Sequence, residues 1–295
     1  ELTMSNPRYY CGIDLHKNSS TLCVIDAKSR DVVMLVTIKH SEAWRFVDCL
    51  DKYKDDGVVV AVESTFNWSW LVDYLESSGI HVVLADAEFV GSICKRKNKS
   101  DALDAENLAK LLMTGLLPKS HICHQDFRGI RDLNRGISSL QQVKSDLERQ
   151  SKTIEQQYFF SAADFSYEEQ VDQHAKALYE SRKSLIALHE AEIKQLTSYM
   201  QSRLQKVREK ELSVLRTFPG IGGKLSAEII LETEYIERFQ SVRNFSSYCG
   251  FASPSRISSG RSYGQKGQNK CNHRLKKTFH KAAFSFIRYS VEGRA

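Results

Sequence analysis

Residues 9–16 read Tyr-Tyr-Cys-Gly-Ile-Asp-Leu-His, and residues 58–64 read Val-Val-Val-Ala-Val-Glu-Ser. Each stretch is an apolar run that ends in one acid, Asp14 in the first and Glu63 in the second. The second run is continuous and mostly β-branched, which is typical of a strand buried on both faces. The two runs therefore predict an α/β fold with carboxylates at the ends of its strands.

Strand and helix signals alternate over the first 120 residues. Strands are predicted at Tyr9–Leu15, Thr21–Asp26, Val32–Lys39, Val58–Glu63 and Ile80–Ala85. Helices are predicted at Ser41–Lys54 (capped by Ser41), Trp68–Ser77 and Asp101–Met113. A three-strand meander followed by strand, helix, strand and helix is the element order of an RNase H-like fold. The first strand of that fold is central, so we expect Asp14 and Glu63 to meet at one edge of the sheet.

Two further acids, Asp101 and Asp104, occur in the stretch Lys-Ser-Asp-Ala-Leu-Asp-Ala (99–105). Their spacing of three residues puts both on one face of a helix, able to face the edge that carries Asp14 and Glu63. Mg²⁺ prefers oxygen ligands and is usually shared between carboxylates and substrate phosphates. The four acids therefore predict a site for Mg²⁺, or for Mn²⁺, that assists chemistry on a phosphodiester.

Two long helices are predicted in the middle of the chain. Apolar residues recur in alternating four- and three-residue steps from Leu133 to Tyr158, with two polar interruptions. A polar turn is predicted at Ser161–Glu169 and a second helix at Val171–Lys210. The pair favours an antiparallel coiled-coil hairpin, or arms that associate with another subunit. Three domains are thus predicted, with bounds at 1–125, 126–212 and 213–295.

Basic residues are concentrated at the C-terminal end. Residues 216–295 contain 14 Lys and Arg against 5 Asp and Glu. This excess favours a polyanionic partner, most simply nucleic acid, over a merely soluble basic surface.

No stretch approaches the roughly 20 consecutive apolar residues of a membrane span. The seven cysteines show no paired spacing, which favours a reducing cytoplasm.

Two C-terminal segments are candidates for contact with phosphate. The stretch Phe-Pro-Gly-Ile-Gly-Gly-Lys (218–224) precedes a predicted helix at Leu225–Thr233. It is typical of a helix-hairpin-helix turn whose amides approach an anion, and equally of a structural glycine turn. Residues 246–277 are dense in Ser, Gly, Arg and Lys, which predicts a flexible loop between a helix ending near Tyr248 and a helix at Arg274–Tyr289. Such a loop can hold a nucleophile beside a phosphate.

Five motifs, in order along nearly the whole chain, resemble those of one family. They are Gly-Ile-Asp-Leu-His-Lys (12–17), Val-Glu-Ser-Thr (62–65), Lys-Ser-Asp-Ala-Leu-Asp-Ala (99–105), Pro-Gly-Ile-Gly (219–222), and Tyr-Cys-Gly-Phe-Ala-Ser-Pro (248–254) followed by Ser-Ser-Gly (258–260). The chain resembles the insertion-sequence 110 transposases, relatives of the Piv DNA invertases that are known as bridge-RNA-guided recombinases.

The resemblance implies a RuvC-like N-terminal domain, a coiled-coil insertion and a C-terminal domain with a nucleophilic serine. Carried over, the metal-binding and catalytic acids are Asp14, Glu63, Asp101 and Asp104. The serine before the motif glycine is Ser259, with Ser258 as the alternative, and it would form a transient phosphoserine. Either a carboxylate of this tetrad or a water on the metal would take the serine proton.

The resemblance also implies partners. They are target and donor DNA, a noncoding bridge RNA that pairs with both, and a homo-tetramer (a dimer of dimers) whose active sites combine domains of different subunits. The expected location is the bacterial cytoplasm, associated with the nucleoid. Residues expected to contact nucleic acid are Lys17, Lys99, Arg128, Arg131, Arg135, Gly220, Gly222, Lys224, Arg256, Arg261 and Lys266.

Two features depart from the family pattern. Cys271 stands where a glycine is expected before the last helix, and further sequence is expected after Ala295. Two other functions remain open at this point. One is a metal-dependent nuclease of the junction-resolvase type, which uses water as its nucleophile. The other is a catalytically inactive, RNA-guided DNA-binding regulator.

Overall fold

The computed structural model describes residues 7–93, 100–158, 172–252, 255–259, 261–265, 270–290 and 293, with only the backbone for 255–258 and 262–265. The predicted turn at 161–169 and the predicted contact residues Lys99 and Lys266 lie outside these ranges. The chain divides into two compact units, residues 1–122 and residues 123–295. The predicted division into three domains stays a prediction.

The first unit is built on one five-stranded sheet. Its strands are β1 Tyr9–Leu15, β2 Ser19–Asp26, β3 Val32–Lys39, β4 Val58–Glu63 and β5 His81–Ala85. They lie in the order β3-β2-β1-β4-β5. Strand β1 pairs antiparallel with β2 and parallel with β4, and β4 pairs parallel with β5. The predicted central position of the first strand is therefore confirmed.

Helices cover both faces of this sheet. They are α1 Trp44–Asp51, α2 Trp68–Ser77, α3 Ala87–Ile93 and α4 Asp101–Met113. Apolar residues of α1 and α2, such as Phe46 and Leu71, pack with Ile13 on one face. Helix α4 packs through Leu108 and Leu112 on the other. This division follows from the alternation of side chains along a strand.

Two helix predictions in this unit need correction. Ser41 does not cap α1: it lies in a short 3-10 helix, His40–Glu42, and α1 begins at Trp44. Helix α3, Ala87–Ile93, was not predicted. Asp86 starts it, because its Oδ1 accepts hydrogen bonds from the backbone amides of Glu88 and Phe89 at 3.0 and 3.1 Å.

The second unit begins with two long helices, α5 Gln125–Tyr158 and α6 Gln173–Arg216. Lys144 pairs with Glu190, while the hydroxyl of Tyr179 donates to Glu155. Since the later residue of α5 meets the earlier residue of α6, the helices are antiparallel, as predicted. Their description as a coiled coil stays a prediction. None of the described helices has the length and apolarity required to cross a membrane.

In the described part of this unit, three further α-helices and a hairpin follow. They are α7 Gly223–Thr233, α8 Val242–Tyr248, β6 Ser255–Ser258, β7 Arg261–Gln265 and α9 His273–Tyr289. Leu231 of α7 and Leu204 of α6 belong to one buried apolar cluster, and Ile229 of α7 and Leu275 of α9 belong to another. Strands β6 and β7 pair antiparallel. The prediction of an unstructured flexible loop was therefore wrong for these two strands.

Candidate functional site

Asp14 and Glu63 stand side by side at the carboxyl edge of the sheet. Ile13 of β1 pairs with Val62 of β4, and each acid is the next residue on its strand. Asp14 is buried, with 4% of its surface exposed, and Glu63 is half-buried. Because β1 and β4 are parallel, both carboxylates belong to the same edge, as the sequence predicted.

Asp101 and Asp104 both lie in the first turn of α4, which is capped by the Ser100 hydroxyl accepting from the Leu103 amide at 3.3 Å. Asp101 is exposed and Asp104 is half-buried. The positive end of the helix dipole stabilises carboxylates at this position. The helix can therefore bring two negative charges to the sheet at a reduced electrostatic cost.

Gly12 explains how closely α4 approaches the sheet. A Cβ atom at this position would lie 2.1 Å from the carbonyl oxygen of Ala105 and 2.6 Å from the amide nitrogen of Ala109. Only glycine tolerates this contact. Ala105 follows Asp104 directly, so the contact holds the acid-bearing turn of α4 against the strand that carries Asp14.

His16 joins the two acidic elements. Its Nε2 lies 3.2 Å from Oδ2 of Asp14 and 3.2 Å from Oδ1 of Asp101. The hydrogen bond to Asp101 raises the pKa of His16, and the charges of Asp14, Asp101 and Glu63 add to this effect, against the opposing effect of burial. The imidazole therefore lies in a strongly negative environment.

One ligand atom from each of Asp14, His16 and Asp101 lies within 4.8 Å of the others, an arrangement that fits a divalent cation. Two carboxylate oxygens suit Mg²⁺ or Mn²⁺, and the imidazole nitrogen is a donor that transition metals accept. His16 was missed as a site residue. A signal was present, because His16 follows Asp14 by two residues, and side chains two residues apart lie on one side of an extended segment.

Ser259 occupies the turn between β6 and β7. It is exposed, and its backbone φ of 50° is in the left-handed region that residues other than glycine rarely adopt. Backbone strain of this kind is concentrated at functional sites. The observation supports Ser259 as the candidate nucleophile. The side chains of Ser258 and Arg256 lie outside the described residues, and Arg261 is exposed next to the turn.

A network of hydrogen bonds joins the two ends of the segment that carries this turn, at Tyr248 and Asn272. The Asn272 amide nitrogen donates to the carbonyl of Tyr248 at 2.7 Å, and its side-chain amide lies 3.0 Å from both the Tyr248 hydroxyl and Oε2 of Glu232. Arg135 donates to both oxygens of Glu232, at 2.8 and 2.7 Å. The residues before and after the hairpin are thus held together.

Cys271, where a glycine is expected, lies next to Asn272 and packs against Gly250. A Cβ atom on Gly250, whose φ is 77°, would lie 2.7 Å from the Cys271 Sγ. The cysteine therefore packs closely over Gly250. Its side chain occupies space that a glycine at 271 would leave empty.

Several predicted nucleic-acid contacts have partners inside the second unit. Arg135 is bound to Glu232, and the Arg128 Nη2 donates to the carbonyl of Cys123 at 3.0 Å. Arg131 is half-buried. On the first unit, Lys17 is exposed beside His16. Their roles at nucleic acid stay predictions.

The glycine turn before α7 has a structural role. The Ile221 amide donates to the carbonyl of Phe218 at 3.0 Å, and Gly220 has a φ of 88°. A Cβ atom on Gly220 would lie 2.5 Å from the carbonyl oxygen of Ala282 in α9. Packing therefore accounts for Gly220, whereas Gly222 faces open space, with no atom near the place of its absent Cβ. Contact of either glycine with an anion stays a prediction.

Two models of transposase families match parts of this chain. A model of the DEDD-type IS110 transposases matches residues 11–160, half of the chain, and a model described as transposase IS116/IS110/IS902 family matches residues 212–295. No curated protein matches significantly. The matched ranges contain the four acids and the serine hairpin. The chain belongs to the IS116/IS110/IS902 family of transposases.

Proposed function

We propose that this transposase cleaves and exchanges DNA strands with a divalent cation, Mg²⁺ or Mn²⁺, and a covalent phosphoserine on Ser259. A noncoding bridge RNA selects target and donor DNA, and the active species is a homo-tetramer. The proposed metal-dependent cleavage is supported by one observation: one ligand atom from each of Asp14, His16 and Asp101 lies within 4.8 Å of the others at one edge of the sheet.

The acids of the first unit are suited to hold the cation. Asp14 is fixed by its strand, and Asp101 by the capped first turn of α4. Glu63 is next to Asp14 and Asp104 is one turn along α4, which gives the tetrad that we propose. The bound cation supplies positive charge that polarises the scissile phosphate.

Ser259 supplies the nucleophile. Its Oγ attacks phosphorus, an Oγ–P bond forms, and the P–O bond to the leaving strand breaks. The proton of the serine hydroxyl passes to a base, for which the tetrad carboxylates are candidates, and the leaving oxygen takes up a proton. Attack by the hydroxyl of another strand then reverses these steps, so one phosphodiester replaces another without net hydrolysis. Arg256 and Arg261 neutralise the phosphate, because guanidinium groups fit its oxygens bidentately.

Target choice follows from base pairing rather than from protein contacts. The described residues contain basic surfaces but no zinc-finger or aromatic RNA-binding motif, and phosphate contacts position a protein without reading sequence. In guided systems the sequence is read by RNA–DNA pairing. We propose the same division of roles for this transposase.

A covalent-trapping experiment tests the serine. Purified protein is mixed with its bridge RNA and labelled donor and target DNA, and protein–DNA adducts are resolved on a denaturing gel. We expect Ser259→Ala to abolish adducts while RNA binding survives, and the neighbouring Ser258→Ala to keep them. Adducts that persist in Ser259→Ala and vanish in Ser258→Ala would move the nucleophile by one residue.

Two other functions are separated by the same assay. Cleavage that continues in Ser259→Ala without any adduct would indicate a nuclease that uses water. Asp14→Asn should end cleavage while nucleic-acid binding remains, since only a charge at the metal site is removed. If wild-type protein binds but never cleaves, in Mg²⁺ or in Mn²⁺, the chain acts as a binding regulator.

A further inference from the structure

One face of α9 exposes a row of cations. The row, here called the α9 stripe, consists of four cations and one aromatic residue, all exposed: Arg274, Lys277, Lys281, Phe284 and Arg288. They follow one another at steps of three and four residues, so they share one face of the helix. The neighbouring face, with Leu275, Thr278 and Ala282, is buried.

Lys224 in the first turn of α7 adds another cation to this surface. Burial lowers the pKa of Lys224, and the charges of Lys281 and Lys277 lower it further, against the opposing charge of Glu228. A cation is also unfavourable at a helix N-terminus, because the dipole is positive there. Three like charges are thus held close together at an electrostatic cost that a bound anion would offset.

The surface beside the stripe is polar. A groove between α5 and α9 is lined by Asn134, Ser138, Gln141 and Gln142 from α5, and by Lys277 and Lys281 from the stripe. Such a lining suits a hydrated sugar–phosphate chain better than an apolar partner.

Two acids line this groove, and both accept hydrogen bonds within the protein. Glu228 accepts from the Thr278 hydroxyl at 2.9 Å, and Glu232 is bound by Arg135. The four cations of the stripe outnumber the two acids that line the groove, and Glu232 already has Arg135 as its partner. In the described part of α9 there is no Asp or Glu at all.

We infer that the α9 stripe, together with Lys224, binds the phosphate backbone of duplex DNA. This inference rests on the proposed function, in which DNA is the substrate. The 14 helical steps from Arg274 to Arg288 span about 21 Å of helix. A duplex presents one phosphate charge per about 1.7 Å of its axis, so each cation of the stripe finds a phosphate within reach. The contact contributes affinity and leaves sequence choice to the guide.

The experiment measures binding without chemistry. A fluorescent duplex of about 21 base pairs, two helical turns, is titrated with the protein in EDTA between about 50 and about 200 mM salt. The variant Lys277→Gln/Lys281→Gln removes two adjacent cations of the stripe. The matched control Lys206→Gln/Lys210→Gln removes two exposed lysines at the same spacing on α6.

We expect the stripe variant to lower the slope of log K against log salt by about two, since each phosphate contact contributes about 0.9. The control should keep the wild-type slope. Thermal unfolding should show the stripe variant at least as stable as the wild type, because like charges have been removed. Should the double variant fail to fold, Lys281→Gln alone should lower the slope by about one.

Three outcomes would overturn the inference. In the first, the stripe variant keeps the wild-type slope of log K against log salt. In the second, the control variant lowers this slope as much as the stripe variant does. In the third, the stripe variant binds a structured RNA of equal length less tightly than the wild type but binds the duplex equally well. In each case a wild-type protein that still binds and cleaves DNA leaves the proposed function standing. A wild-type protein with no affinity for duplex DNA would instead contradict the proposed function itself.

Discussion

The side-chain amide of Asn272 donates to Oε2 of Glu232 at 3.0 Å, and this bond ties the segment that carries the serine hairpin to a buried carboxylate of α7. Glu232 is only 4% exposed, so its charge would be costly without partners. Arg135 supplies two hydrogen bonds to it. The buried charge is therefore compensated at the point where the hairpin is anchored.

Glu232 should make stability depend on acid pH. Burial raises the pKa of Glu232, but the hydrogen bonds from Arg135 and Asn272 outweigh burial and leave the pKa below its ordinary value. A carboxyl whose pKa is lower in the folded state contributes stability above its unfolded pKa of about 4.3 and loses it as pH falls through the folded value.

We therefore expect Glu232→Gln to lower the unfolding temperature at neutral pH and to flatten the loss of stability on acidification. Circular dichroism melts across the pH range measure both effects. The exposed Glu237→Gln is the matched control and should leave the curve unchanged. Equal curves for the wild type and Glu232→Gln would show that the network contributes nothing to stability.

Gly12→Ala should displace α4. The added methyl group would lie 2.1 Å from the Ala105 carbonyl oxygen, which is helix backbone and cannot move alone. Overpacking of this kind costs about 1–3 kcal/mol or more. We expect a lower unfolding temperature and weaker Mn²⁺ binding, measured by calorimetry, because Asp101 moves with the helix.

The control for this variant is Gly91→Ala in α3, where no atom lies near the added carbon. It should leave Mn²⁺ binding unchanged and be neutral or slightly stabilising, since alanine favours helix over glycine by about 1 kcal/mol. Unchanged Mn²⁺ affinity in Gly12→Ala, with the fold retained, would show that the acids do not depend on this contact.

His16→Ala tests whether the imidazole is a metal ligand. Its Nε2 lies 3.2 Å from both Asp14 and Asp101, at the centre of the candidate site. Mg²⁺ prefers oxygen donors, whereas transition metals accept imidazole. We expect the variant to lose about tenfold in Mn²⁺ affinity and less in Mg²⁺ affinity, by isothermal titration at neutral pH.

The opposite result is equally informative. If both metals bind His16→Ala more tightly than the wild type, the imidazole competes with the cation as a positive charge between the two carboxylates. Asp31→Asn, at an exposed acid in the same unit, controls for a general change in charge and should leave both affinities unchanged.

The bounds of helices and strands could be predicted from the sequence where the element has a strong local pattern. Strands β1, β3 and β4 and helices α2 and α4 have the predicted bounds, since β-branched runs and helical periodicity are properties of short segments. Helix α3 escaped prediction because seven residues give too little periodicity. The hairpin escaped because serine and glycine are also typical of unstructured loops.

Site residues were predictable only where one element determines them. The acids were recognised by their place at strand ends and in one helical turn, whereas the role of His16 depends on Asp101, 85 positions away. Glu232 resembles an ordinary helix acid in sequence, and its burial depends on Arg135, 97 positions away. Such tertiary pairings cannot be inferred from local pattern.

Ser259→Gly should separate the strain of the turn from its chemistry. Ser259 has a φ of 50°, a conformation that costs an L-residue about 1–2 kcal/mol and costs glycine little. We expect the variant to raise the free energy of unfolding by about 1 kcal/mol in denaturant titrations, and to form no covalent adduct with DNA. Ser213→Gly, inside α6, should instead lower stability, because glycine is unfavourable in a helix interior. A variant Ser259→Gly that is less stable than the wild type would show that the serine side chain, rather than the backbone, holds this turn in place.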